Sequence, residues 1–280
     1  MEIVVIVVTL LSDGCPVQAI VHAFGLPERT VASWRDRAGV HCEQLHQALV
    51  ETGKLDLVHV QADEIRVKGR NMIAWMALAM MVSTRLWLAG TVSVTRDKRL
   101  ADALMQQVRR CAQPLRPLLV LTDGWAAYPA SIRRAFREQV KRLAGVGRAA
   151  LEVWPQLPIG TVIKRTQNKR VVAITRQMAH GLLDQAEKLR QFSGGGNVLN
   201  TAFIERLNGP MRERLASLSR KGRHCASRLQ ALHSGMYLIG CTYNFCLTHQ
   251  ALSKAKHWAR ACTPARASGL TEHVWSVGAL

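Results

Sequence analysis

The chain has 280 residues, 38 of them Lys or Arg against 19 Asp or Glu, for a formal net charge of +19. Hydrophobic residues make up 48%, enough for a buried core and too many for a disordered chain. So strong a positive balance points to a polyanionic partner, nucleic acid ahead of an anionic membrane surface.

Charge is unevenly placed along the chain. Residues 1–62 carry a net −3, residues 63–194 a net +14 and residues 195–280 a net +8. A boundary near Gly53–Asp56 follows, with the phosphate-seeking surface behind it. The apolar run Ile3–Leu11 is too short to span a bilayer and lacks a basic leader, while Ser83, Thr84 and Arg85 split Met72–Ala89. Neither a membrane nor a secretory reading holds. The seven cysteines are scattered with no CxxC, as suits a reducing cytoplasm. Cys241-x4-Cys246-x2-His249 fits buried thiols better than a metal corner, because residues five apart do not share a helix face.

In chain order, Ile3–Leu11 occupies the place of a first helix, although its β-branched richness favours a strand. Pro16 opens the next helix, Gly25 supplies a turn, and Val31 and Trp34 face back from a helix over Glu28–Arg37. This is a helix-turn-helix pattern whose second helix presents Arg29, Thr30, Ser33, Arg35 and Arg37 to a DNA groove. Leu57–Ile65 alternates Val58, Val60 and Ala62 against His59, Gln61 and Asp63, a half-buried strand. A hairpin over Ile73–Met80 and Leu86–Val94 follows, then a helix over Lys98–Cys111. Pro117–Thr122 is a doubly buried strand ending at Asp123-Gly124. Ser131–Leu143 has a helical pattern with a basic face, and Val162–Thr166 with Arg170–Thr175 forms a two-stranded ribbon. From Thr201 a long helix runs through Leu218, with Pro210 inside it. That proline predicts a bend or break between Asn208 and Met211.

Three carboxylates stand out by position. Asp63 ends the first strand of a β-β-β-α-β run, Asp123 ends the fourth, and Glu205 starts the late helix with Asn208 and Arg212 along its face. Singly, each has an ordinary role: a strand end, a turn and a helix N-terminus. Together, if the first and fourth strands are adjacent and parallel, they form a cluster that divalent cations must neutralise. Two Mg²⁺ or Mn²⁺ ions on such oxygen ligands suit phosphoryl transfer.

The segments Leu121–Ile132 (LTDGWAAYPASI), Asn200–His224 (NTAFIERLNGPMRERLASLSRKGRH) and Met236–Ser253 (MYLIGCTYNFCLTHQALS) resemble the DDE transposases of bacterial insertion sequences, in particular the IS-one group. The resemblance spans about Leu57–Ser253. It implies an RNase H-like mixed α/β sheet flanked by helices, preceded by a small all-helical helix-turn-helix domain. On this reading residues 1–53 bind DNA, and residues 54–253 are catalytic with a basic insertion around 141–196. Residues 254–280 form a tail. Asp63, Asp123 and Glu205 are the expected catalytic metal ligands. Arg29, Ser33, Arg35, Arg37, Asn208, Arg212, Arg214, Arg220, Lys221 and Arg223 are the expected DNA-contacting residues. The implied setting is cytoplasmic, on the ends and target of a double-stranded DNA element, with no membrane partner and in a homo-oligomer. The alternatives are a metal-dependent nuclease without strand transfer and a DNA-binding protein that has lost its chemistry.

Overall fold

The structure is a computed structural model and describes residues 2–68, 73–140, 149–168, 170–215, 228–255 and 261–280. It begins with three helices: α1 (Glu2–Ser12), α2 (Val17–Phe24) and α3 (Glu28–His46). The strand propensity of Ile3–Leu11 is overridden. Val7 and Leu11, four residues apart, share one helical face and are buried in the core, a spacing a strand cannot use for packing on one side. Pro16 stands at the N-cap of α2, and Gly25 turns the chain with a left-handed φ of 61°. The second helix of this pair runs well beyond Arg37. Its continuation buries Cys42 and His46, and Gly39 lies so close to a later helix that a Cβ there would meet the Ser234 carbonyl at 2.4 Å.

The next elements are β1 (His59–Lys68), β2 (Ile73–Met81), β3 (Trp87–Ser93), α4 (Lys98–Cys111) and β4 (Leu119–Asp123). Asp97 caps α4 by accepting the Arg99 and Leu100 amides at 3.0 and 3.2 Å, and Leu100, Leu104 and Val108 bury its apolar stripe. Then come α5 (Ala127–Ala135), β5 (Arg137–Val140), β6 (Ala150–Val153), β7 (Ile159–Gln167) and β8 (Arg170–His180). The helix expected over Ser131–Leu143 is therefore displaced. Phe136 leaves helical geometry with ψ of 62°, is fully buried and packs edge-on against Trp154 at 5.0 Å. That contact fixes Arg137–Val140 as a strand paired with β6; Lys141 to Leu143 lie outside the described residues.

Six strands form one sheet in the order β3-β2-β1-β4-β7-β8. β4 is parallel to both β1 and β7, and the remaining pairs are antiparallel. This mixed α/β sheet flanked by helices is compatible with an RNase H-like fold. The stretch expected as a basic insertion contributes β7, a strand inside the sheet. β4 is short: its pairing with β1 stops at Ala62↔Thr122 and with β7 at Asp123↔Val162. Both outer hairpins therefore run on past its end, with Asp123 between them.

The last elements are α6 (Leu183–Phe192), α7 (Ala202–Arg214), α8 (Leu229–Cys241), α9 (Gln250–Ala255) and α10 (Pro264–Ala267). Pro210 does not break α7, which is continuous across it and ends at Arg214; Ala216 to Leu218 lie outside the described residues. Asn244, just after α8, accepts the Trp87 amide and donates to the Trp87 carbonyl, each at 2.9 Å, which pins β3. Buried residues from all three N-terminal helices, the sheet and α8 belong to one continuous core. Among the described residues no helix is long and apolar enough to cross a membrane.

Candidate metal centre

Adjacency of β1 and β4 is the condition on which the carboxylate cluster depends, and it is met. Asp63 sits in the middle of β1 rather than at its end, beside the point where Asp123 closes β4. Ligand atoms of Asp63, Glu64 and Asp123 all lie within 4.8 Å of one another. Among the described residues this is the one group of His, Cys, Asp or Glu side chains so arranged.

The face of β1 that carries Asp63 is tied to the segment from α6 to α7. His59 Nδ1 meets Ser193 Oγ at 2.9 Å, while that hydroxyl donates to the Arg190 carbonyl. The imidazole is therefore the donor, and burial pushes its pKa down to about 3. Gln61 Oε1 accepts the Phe203 and Ile204 amides at 3.0 and 3.1 Å, and its Nε2 donates to the Asn200 carbonyl at 2.6 Å. Asn200 accepts the Ala202 amide. The start of α7 is thus capped partly by its own chain and partly by a side chain from the sheet. Thr201 turns its hydroxyl to Glu205 Oε1 at 2.7 Å. Two turns along α7, Asn208 Nδ2 donates to Asp63 Oδ2 at 2.8 Å.

Burial, with Asp123 and Glu205 close by, raises the Asp63 pKa to about 6. Arg212 on α7 opposes that rise. Glu205 is near enough to act on Asp63 but stands outside the tight cluster, ion-paired with Lys164 of β7. Glu64, which the sequence offered only as the neighbour of Asp63, occupies the other face of β1. Tyr128 donates to its Oε2 at 3.1 Å, and Arg96 Nε donates to its Oε1 at 2.6 Å. Burial, with Asp123 second, raises the Glu64 pKa to about 7 despite that arginine. Arg96 also lies 3.6 Å from Asp123 and stacks over Trp75 and Trp125, at 5.1 and 4.6 Å from the ring centroids. Asp123 Oδ1 accepts the Trp125 amide at 3.0 Å.

Three carboxylates at such range, with Glu205 close by, repel unless cations neutralise them. The donor set is all oxygen, the chemistry that hard divalent ions take. Asn208 Oδ1 is buried beside it with no hydrogen-bond partner, an acceptor suited to a cation's water shell. The residues fit a divalent metal; its identity is not fixed by them.

The other expected residues are scattered. Arg29, Ser33 and Arg37 line a groove of about 670 Å³ between α3 and the start of α8, with Arg228 and Gln230 on its far side. Arg35 pairs with Asp36 on its own helix. Arg214 is held by Asp13 and the Ser12 carbonyl. Arg220, Lys221 and Arg223 lie outside the described residues. Sequence reasoning missed Arg96, which pairs with Glu64 and lies beside Asp123, and Lys164, which pairs with Glu205. No protein-family model matches the chain, and no curated protein is significantly similar to it.

Proposed function

We propose that this chain is a DDE-type DNA transposase with an RNase H-like catalytic core, cutting at element ends and joining the freed 3′-hydroxyl to target DNA. One observation carries the reading: Asp63 and Asp123 converge on neighbouring parallel strands, beneath a helix that brings Glu205 and Asn208 to them. The positive balance of residues 63–280 and the resemblance of the three segments support the same substrate.

Asp63, Asp123 and Glu205 would hold Mg²⁺ or Mn²⁺, two ions by the count of carboxylates. Such ions activate the attacking oxygen and stabilise the leaving one. Asn208 orients Asp63, and the Arg96 guanidinium, wedged between two tryptophans, orients Asp123 and Glu64. Gln61 keeps α7 and Glu205 in register with β1. Lys164 neutralises Glu205 and would be available to phosphate oxygens beside it. Arg212 adds positive charge on the same helix. Arg29, Ser33 and Arg37 would read DNA from α3, with Arg220, Lys221 and Arg223 contacting phosphates. The protein would act in the cytoplasm as a homo-oligomer bridging two DNA ends.

A second reading rests on Lys164 and Arg96. Because they already pair with carboxylates, the site can be neutralised by the chain itself, as in a DNA-binding protein without chemistry. Incubating the protein and Mg²⁺ with duplexes taken from the DNA flanking its gene, plus a supercoiled plasmid, separates the readings. Joined products that vanish in Asp123→Asn support a transposase. Cleavage without joining identifies a nuclease, and binding alone supports the second reading.

A further inference from the structure

β7 and β8 hold together far beyond the sheet that starts them. β7 is buried from Ile159 to Val162, where β4 accompanies it, and exposed from Ile163 to Gln167. β8 is exposed from Arg170 through Gln177. The result is a two-stranded arm open on both faces, rooted beside Asp123 and carrying Lys164 against Glu205.

Its chemistry is one-sided. Residues 153–183 contain Lys164, Arg165, Lys169, Arg170 and Arg176 and no Asp or Glu. Arg165 and Arg170 make no ion pair or side-chain hydrogen bond with any described residue, while Arg176 braces the arm on the Leu199 carbonyl at 2.7 Å. Between the cations stand Val171, Val172 and Ile174, 53%, 54% and 43% exposed. Cations and apolar groups interspersed on a ribbon match a surface of phosphates flanking apolar base and sugar edges. The major groove, about 12 Å wide, admits a two-stranded ribbon. A second copy of the arm is a poor occupant, since pairing edge to edge would bring two sets of unpaired cations together.

We infer that the β7–β8 arm is a DNA-binding arm that lies along the duplex leaving the carboxylate site. The inference rests on the proposed DNA substrate but needs no catalysis, so binding in EDTA tests it. The full-length protein and an Arg165→Gln/Arg170→Gln variant, matched in melting temperature, are titrated into a duplex oligonucleotide at increasing KCl. Each lost phosphate contact lowers the slope of log Kobs against log salt by about 0.9, so the variant's slope should fall by about 2. A photo-crosslinker at Val172 should label DNA. Unchanged slope and affinity in the variant, with the wild type binding normally, would overturn the arm while leaving the transposase reading intact. Absence of duplex binding by the wild type would overturn both. A crosslink to a second copy in place of DNA would overturn the arm's assignment and make it a dimer contact. Arm-dependent binding with no cleavage in Mg²⁺ would uphold the arm and remove the transposase reading.

Discussion

His59, Gln61 and Asp63 alternate along one face of β1; the segment that leads into α7 holds His59 and Gln61, and Asn208 within α7 holds Asp63. Alternation with valines and alanine predicted a strand with that polar face in water, yet His59 and Gln61 are fully buried. Periodicity reports which residues share a face; it does not report what covers it. Glu64 was hidden for a related reason, because its partners Tyr128 and Arg96 come from distant segments. Removing the Asp63 brace should weaken the centre: Asn208→Ala is expected to lower divalent-ion affinity by about 10–100-fold, the usual effect of losing a ligand's supporting hydrogen bond, as calorimetric titration with Mn²⁺ would measure. Asp123→Asn should abolish cleavage while leaving DNA affinity equal or higher, since it deletes a charge that repels phosphate. Wild-type cleavage by that variant would remove Asp123 from the site.

Protonation gives a further handle on the same residues. Asp63 and Glu64 have pKa values raised to about 6 and about 7. Without metal the folded chain therefore binds more protons than the unfolded one, and these groups lower stability as pH rises through that window. His46 and His59, pushed down to about 4 and about 3 by burial, act oppositely, losing stability as pH falls below about 6.5. The two effects offset each other in a simple melt. The increase in melting temperature caused by Mn²⁺ isolates the carboxylates, because binding needs them deprotonated. That increase should be small at pH 5 and grow until about pH 7.5. An increase independent of pH would show that the ion binds elsewhere.

At the scale of the element, α7 shows where sequence reasoning succeeds and where it overreaches. Glu205, Asn208 and Arg212 do share the face turned toward Asp63, as their spacing requires. The break at Pro210 does not occur, because Ile204, Leu207, Asn208 and Met211 are all buried on both sides of the proline. Burial at four positions outweighs a penalty of about 3 kcal/mol for an interior proline. Since the helix is already continuous, Pro210→Ala should stabilise the protein, by up to about 3 kcal/mol, and leave the cleavage rate unchanged. Gln61→Leu should do the reverse. It removes the acceptor for two helix-start amides and leaves them buried, a loss of about 2–4 kcal/mol that chemical denaturation would register. A variant as stable as the parent would mean that water replaces the cap.

Across the whole molecule, the charge boundary near Gly53–Asp56 suggested a separate DNA-binding module, whereas packing joins the two sides. Nothing in composition could have revealed this, because the contact joins residues far apart in the chain. Gly39 of α3 lies against Ser234 of α8, and Gly240 of α8 lies against the Trp87 ring, where an added Cβ would come within 2.2 Å. His46 of α3 packs on Trp87 and Tyr237 at 4.5 and 5.7 Å between centroids. Prising α3 from α8 would therefore expose Trp87, Tyr237 and Met236, all buried in the shared core, at about 25 cal/mol per Å² of apolar surface. Unfolding the N-terminal helices alone is thus costly for both partners. The chain is expected to melt in one calorimetric transition whose measured and van't Hoff enthalpies agree. Gly39→Leu should lower that transition as a whole, because the side chain collides with the Ser234 backbone rather than with a flexible neighbour. Two resolved transitions in the parent, or a Gly39→Leu effect confined to one of them, would show that the helices fold independently of the sheet. The proposed DNA contacts of α3 and of the carboxylate site would then be linked only by a hinge rather than by one rigid core.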